Sequence, residues 1–239
     1  MKTVLITGAN QGIGFETARQ LAHLGYFVYL GSRNKNKGEE AINRLKQSGA
    51  ANIAFVELDV TNIHSIKQAR QELENKVDAL DVLVNNAGIS ASQPQNISSV
   101  ALENLRNVFE TNFFGAVQTT QQFLPLLKKS VQPVIVNVSS GLGSLSIHNG
   151  ISNSNFKIYD AYSCSKTALN AFTVMLANEL KDTGFKINSV TPGYTATNLN
   201  QYRGTKTPEE SAGVIVKYAT LDSDGPTGKF FNNDAEVPW

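Results

Sequence analysis

Six short apolar runs recur along the chain, with room for one helix between neighbours, and this alternation limits the fold more than any other feature. Val4-Leu5-Ile6, Phe27-Val28-Tyr29-Leu30, Ile53-Ala54-Phe55-Val56, Val82-Leu83-Val84, Val134 to Val138 and Lys186 to Val190 read as strands. Continuous apolarity, in place of a polar/apolar alternation, marks parallel strands covered on both faces. Between them Phe15 to Leu24, Lys37 to Ser48, Ile63 to Asn75, Leu102 to Lys128 and Tyr162 to Lys181 carry helical periodicity. Such a chain is expected to form an α/β doubly wound parallel sheet with helices on both faces.

The 239 residues fit one domain of this class, 1–239, and a hydrophobic fraction of 41% is enough for a sizeable core. Two polar stretches, Ser144 to Lys157 and Asn198 to Thr207, read as surface loops. Thr207-Pro208-Glu209-Glu210 reads as a helix start, with a threonine cap, proline at the first position and early acids. Gly225 to Phe231 reads as a turn and a last strand. The formal charge is +1, so nothing advertises a nucleic-acid partner. The single cysteine, Cys164, allows no intramolecular disulfide and points to a reducing, cytoplasmic setting. No apolar run reaches the length of a signal-peptide core or a membrane span, so neither processing nor a membrane is expected.

Two constellations carry chemistry. The first is Gly8-Ala9-Asn10-Gln11-Gly12-Ile13-Gly14, between the first strand and the first helix. A turn this rich in glycine lets phosphates reach backbone N–H groups at a helix N-terminus, although its spacing is not G-x-G-x-x-G. The second is Tyr162-Ser163-Cys164-Ser165-Lys166, which sets a phenol and an ammonium one helical turn apart. An isolated phenol has a pKa of roughly 10, and a neighbouring cation lowers it toward the range of a general acid and base. Cys164 reads as a small packed residue. His23, His64 and His148 lack ligand spacing, and no metal site is expected.

In order along the chain, Thr7-Gly8-x-x-x-Gly12-x-Gly14, Asn85-Asn86-Ala87-Gly88, Asn112, Ser140, Tyr162, Lys166 and Pro192-Gly193 resemble the motifs of the short-chain dehydrogenase/reductase family, over nearly the whole chain. The resemblance implies a Rossmann-type sheet and a catalytic set of Asn112, Ser140, Tyr162 and Lys166. Ser140 would hydrogen-bond the substrate carbonyl, and Asn112 would support a proton-relaying water. It implies a dinucleotide held by Gly8, Asn10, Gln11, Gly12, Ile13 and Gly14. Asp59 and Val60 would lie at the adenine, Asn86, Ala87 and Gly88 at the ribose, and Tyr162 and Lys166 beside the nicotinamide. Pro192, Gly193, Thr195 and Thr197 would complete the cradle, the two threonines through their hydroxyls. At the end of the second strand, Ser32 stands where an NAD-preferring member would carry Asp, and Arg33 follows. A guanidinium grips a phosphate, so NADPH/NADP+ is the expected cofactor. Gln11 departs from this, since many NADP-preferring members carry a basic residue there.

About 22 positions separate Ser140 from Tyr162, more than in many members. This and the segment Asn198 to Lys206 resemble the carbonyl reductase branch. The resemblance implies an oxidoreductase that reduces hydrophobic ketones or aldehydes, with substrate-side loops near 90–99, 141–160 and 194–207. Phe156, Ile158, Tyr194, Tyr202 and Trp239 are candidates for an apolar lining. The longer segment before Tyr162 would obstruct a helical dimer face, so a monomer is expected, with a homodimer as the alternative. Two other readings stand: an alcohol or steroid dehydrogenase working oxidatively, and a non-catalytic NADP(H)-binding redox sensor.

Overall fold

The computed structural model describes residues 1–150 and 159–239. The strands are β1 (Thr3–Ile6), β2 (Phe27–Ser32), β3 (Ile53–Glu57), β4 (Val82–Asn85), β5 (Val134–Val138), β6 (Lys186–Val190) and β7 (Lys229–Phe231). They form one seven-stranded sheet in the order β3-β2-β1-β4-β5-β6-β7, every neighbouring pair parallel. The order reverses between β1 and β4, and in open sheets of this kind a ligand crevice opens at such a reversal, beyond the C-terminal ends of the strands.

Successive side chains of β1 explain the two layers. Val4 and Ile6 face a core with α1 (Gly12–His23), α2 (Lys35–Gln47) and α8 (Pro208–Ala219). Leu5 faces the other core, with α3 (Ile63–Glu74), α5 (Gly115–Leu127) and α7 (Asp160–Glu179). All three residues are fully buried, each worth about 1.5–3 kcal/mol of transfer free energy. Thr207 caps α8 as expected, its hydroxyl accepting from Glu210 N–H while the Glu210 carboxylate accepts from Thr207 N–H.

Three local expectations are corrected. Leu102 to Lys128 is not one continuous α-helix: α4 (Leu102–Phe109) passes into a π-helical turn, Glu110–Phe114, before α5. The chain passes Val60 so closely there that a Cβ on Gly115 would stand 2.8 Å from the Val60 side chain. The expected loop from Ser144 contains a short helix, α6 (Leu145–Gly150). The Ser144 hydroxyl starts it by accepting from Ile147 N–H, and it donates to the Pro238 carbonyl. Ser, Asn and Gly composition masked this cap; residues 151–157 of that expected loop lie outside the described residues. In the second expected loop, a 3-10 turn (Asn198–Asn200) leads into left-handed Gln201 and Tyr202, and the segment folds back to pair Lys206 with Thr195.

Candidate active site

At the sheet reversal, the glycine turn is built by close approach. Gly8 and Gly12 have φ of +62° and +59°, where L side chains are strained. A Cβ on Gly8 would stand 2.9 Å from the Ala87 backbone, and one on Gly14 would stand 2.4 Å from Asn86 Nδ2. Asn86 Nδ2 donates to the carbonyls of Thr7 and Gly8, at 2.8 and 3.1 Å. The Thr7 hydroxyl accepts from the N–H groups of Asn86 and Ala87, both at 3.0 Å. Thr7 and Asn86 thus clamp together the two motifs expected to hold the cofactor. Thr7 opens the first motif, but its clamping role has no signal in the spacing. No side chain caps α1 at Gln11, so its first N–H groups are left for an anion. Asn10, Gln11 and Ile13 lie on this turn, at least partly accessible. Thr197 flanks Gly12, its Cγ2 3.5 Å from where a Cβ would be, and completes a cradle whose free backbone N–H groups fit a dinucleotide phosphate.

Further along the crevice, Ser32 is buried and its hydroxyl is engaged with the backbone of Asn34, while Arg33 is exposed beside it. Asp59 Oδ1 accepts from the N–H and hydroxyl of Thr61, at 2.9 and 2.7 Å. Neither residue caps α3; Asn62 does, accepting from His64 and Ser65. Val60 is buried, its carbonyl accepting from Gln118 Nε2 at 2.6 Å. Pro192 is buried and Gly193 takes φ +86°. The structure separates the two threonines. The Thr195 hydroxyl donates to the Gly193 carbonyl and meets Ser211 Oγ at 2.7 Å, so it is engaged in the fold. Thr197 alone stands beside the glycine turn.

The residues expected to form the catalytic set meet at α7. Ser140 follows β5 and starts a 3-10 turn, its Oγ accepting from Leu142 N–H and standing beside the Tyr162 phenol, whose pKa it lowers. Gly143 presses on the α7 backbone at Lys166, where a Cβ would stand 2.9 Å from the Lys166 carbonyl carbon. Lys166 is buried, its Nζ donating to the Val138 carbonyl at 2.8 Å and lying 5.6 Å from the Tyr162 ring centroid. Burial lowers its pKa to about 8. Tyr162 is partly accessible, but the protein packed around it pushes its pKa up to about 12, opposed only by the neighbouring Ser140 hydroxyl. This corrects the expectation of a lowered value: the ammonium sits over the ring face and bonds to backbone, and desolvation wins.

Asn112, in the π-helical turn, is buried. Its Nδ2 donates to the Ile89 carbonyl and to Ser165 Oγ, and its Oδ1 accepts from Ile89 N–H. Gly88 lies against it: a Cβ there would be 3.4 Å from Asn112 Oδ1 and 3.6 Å from Lys166 Nζ. Asn112, Gly88 and Lys166 are therefore one contiguous group. Cys164 is exposed, not packed, because it faces away from the residues that touch the sheet. Of the apolar candidates, Tyr194 and Tyr202 are exposed, and Trp239 stacks on Phe230 with ring centroids 5.7 Å apart. Phe156 and Ile158 lie outside the described residues. Among the described residues there is no cluster able to hold a metal ion and no helix long and apolar enough to cross a membrane.

Comparison with known proteins agrees with this geometry. Residues 2–208 match the family model for short chain dehydrogenases. A short-chain dehydrogenase of Penicillium roqueforti is 39% identical, covering 92% of this chain and 89% of its own. The (+)-neomenthol dehydrogenase of Capsicum annuum is 33% identical, covering 95% and 94%. That alignment runs over 299 positions, so the pepper protein carries segments that this 239-residue chain lacks. Salutaridine reductase from Papaver somniferum superposes with a TM-score of 0.84 at 30% identity, covering 98% of this chain and all of its own. NADPH-bound carbonyl reductase from chicken fatty liver superposes with a TM-score of 0.87 at 29% identity, covering 100% and 99%. The chain belongs to the short-chain dehydrogenase family, and is an oxidoreductase acting on alcohol or carbonyl groups.

Proposed function

We propose that the protein is an NADPH-dependent reductase of ketones or aldehydes, with Tyr162 as the proton donor. The observation that carries this is the grouping of Ser140 and the buried Lys166 around the Tyr162 phenol, with Lys166 Nζ 5.6 Å from the ring centroid. Bound NADPH supplies a hydride. Gly8, Asn10, Gln11, Gly12, Ile13, Gly14 and Thr197 hold its phosphates, Asp59 and Val60 its adenine, and Asn86, Ala87, Gly88, Pro192 and Gly193 the rest. Ser32 and Arg33 set the preference for the phosphorylated form: no carboxylate ends β2, and an exposed guanidinium stands there. The chicken carbonyl reductase with NADPH supports this choice.

Tyr162, with a pKa near 12, holds its proton at neutral pH and can release it to a carbonyl oxygen as negative charge develops there. Ser140 shares that oxygen and stabilises the same charge. Asn112 braces the backbone at Ile89 against Ser165, keeping the Lys166 surroundings fixed. The oxidative reading uses the same groups in reverse; reduction is the better reading because the nucleotide edge, with Arg33 and no carboxylate after β2, favours NADPH. A sensor without turnover would not need the buried Lys166 beside Tyr162.

The substrate is hydrophobic: Leu145, Tyr194, Leu199 and Tyr202 are exposed on the two segments that flank the crevice. The monomer stays part of the proposal, and a light-scattering mass near 25.9 kDa is expected. A reducing, cytoplasmic setting suits the free, exposed Cys164. The test of substrate class is NADPH consumption over a panel of ketones, aldehydes and quinones, with NADH in parallel. Turnover of apolar carbonyls, faster with NADPH, supports the reading. NADPH binding without turnover on any of them would favour the sensor.

A further inference from the structure

α7 begins without a cap of its own. Its N-cap position is Tyr159, which makes no side-chain capping bond, and the first intrahelical acceptor is the Tyr159 carbonyl, bonded to Ser163 N–H at 2.8 Å. The N–H groups of the preceding residues need partners from elsewhere. One arrives from 67 residues upstream: Gln95 Oε1 accepts from the backbone N–H of Tyr162 at 3.2 Å. Gln95 is completely buried. Its Nε2 donates to the Ala91 carbonyl at 2.8 Å and to Ser90 Oγ at 3.0 Å. The two ends fix the amide unambiguously. Tyr162 N–H can only donate, so the oxygen must face it; the Ala91 carbonyl can only accept, so the nitrogen must face that. A second tie runs beside the first, with Asp160 Oδ2 accepting from Ile97 N–H at 3.2 Å. The 90–99 loop is thereby joined to the first turn of α7 at the residue whose phenol meets Ser140.

We propose that Gln95 is a positioning residue: it caps the catalytic helix from the 90–99 loop and fixes where the Tyr162 phenol stands relative to Ser140. This rests on the reading of Tyr162 as proton donor. A buried amide with every bonding group engaged holds one geometry, and a small displacement of a reacting group lowers the rate steeply. The same link gives the loop a route to the phenol, so that substrate contacts at Ser90 and Ala91 bear directly on Tyr162.

The test uses the full chain and three proteins: wild type, Gln95→Met, which keeps the volume but removes the acceptor, and Gln95→Glu, which keeps an acceptor facing Tyr162 N–H. Steady-state reduction of 4-nitrobenzaldehyde by NADPH gives kcat. NADPH fluorescence gives the cofactor Kd. Amide hydrogen exchange in ¹⁵N-tyrosine-labelled protein reads the Tyr162 N–H without any substrate. In Gln95→Met, kcat is expected to fall about tenfold to a hundredfold, with the NADPH Kd unchanged and Tyr162 amide protection lost. Gln95→Glu should recover both protection and much of kcat. A Gln95→Met enzyme with wild-type kcat would overturn the proposal, even if its melting temperature drops. So would a Tyr162 amide that exchanges freely in the wild type. Should Gln95→Met not fold, Gln95→Ala takes its place, and equal kcat and equal Tyr162 amide protection in Gln95→Ala and Gln95→Glu refute the proposal. If the wild type reduces neither this aldehyde nor any panel carbonyl, the functional reading falls, while the exchange data still decide whether Gln95 caps α7.

Discussion

The two walls of the crevice are built by different means. On the glycine-turn side, close approach to the backbone sets the shape: Gly8 lies against the Ala87 backbone, Gly14 against the Asn86 side-chain amide, and positive φ angles at Gly8 and Gly12 bend the chain out of the way. On the substrate side, segments far apart in sequence are held by a few polar contacts. Gln95 reaches Tyr162, Ile97 reaches Asp160, and Ser144 reaches Pro238. The first wall tolerates almost no change in shape, since it must admit phosphates to backbone donors. The second tolerates change in its exposed residues as long as its few ties persist. A binding frame for a common cofactor and a replaceable lining for the substrate follow from that difference.

Substitution at Gly8 is the harshest way to break this contrast. Gly8→Val places a branched side chain at φ +62° against the Ala87 backbone. It should cost roughly 2–5 kcal/mol of stability in urea unfolding, strain and overpacking together. Tyr202→Ala, on the other wall, removes an exposed ring and should leave the unfolding midpoint nearly unchanged. Equal losses at the two sites would refute the distinction. A smaller effect is expected at the nucleotide edge. Arg33→Ser should raise the NADPH Kd about tenfold, the loss of one charge-assisted contact at an exposed site, and leave NADH binding as it was. Equal weakening of both cofactors would remove Arg33 from the phosphate site.

The mildest test is pH. Burial lowers Lys166 to about 8 and raises Tyr162 to about 12, so as pH rises the ammonium is lost first while the phenol keeps its proton. Reduction that needs both groups protonated should show kcat/KM level in mildly acidic solution and declining as pH passes about 8. An enzyme working through the phenolate would instead gain rate as pH rises. Lys166→Met should flatten the decline.

What the sequence made legible follows the same division. The glycine turn and the Tyr162–Lys166 spacing could be read directly, because backbone approach and helical register impose residue types at fixed intervals. The strands were legible because burial on both faces leaves only apolar runs. The Gln95 cap was not, since Gln93-Pro94-Gln95-Asn96 has ordinary loop composition and its partner is 67 residues away. The helix boundary hid it further: the sequence pattern starts this helix at Tyr162, whereas the structure starts it at Asp160, behind an uncapped Tyr159. The π-helical turn at Asn112 left no mark in hydrophobic spacing. The raised pKa of Tyr162 was missed because the pair spacing shows that an ammonium is near, but not that it lies over the ring and that burial outweighs it.

The central claim is that Tyr162 delivers the proton during carbonyl reduction. Single-turnover oxidation of bound NADPH by a carbonyl substrate, wild type against Tyr162→Phe, tests it most directly. Removing a general acid should slow this step by about 10²–10⁴, with NADPH affinity unaltered. A Phe variant that oxidises NADPH at the wild-type rate would show that the proton comes from elsewhere.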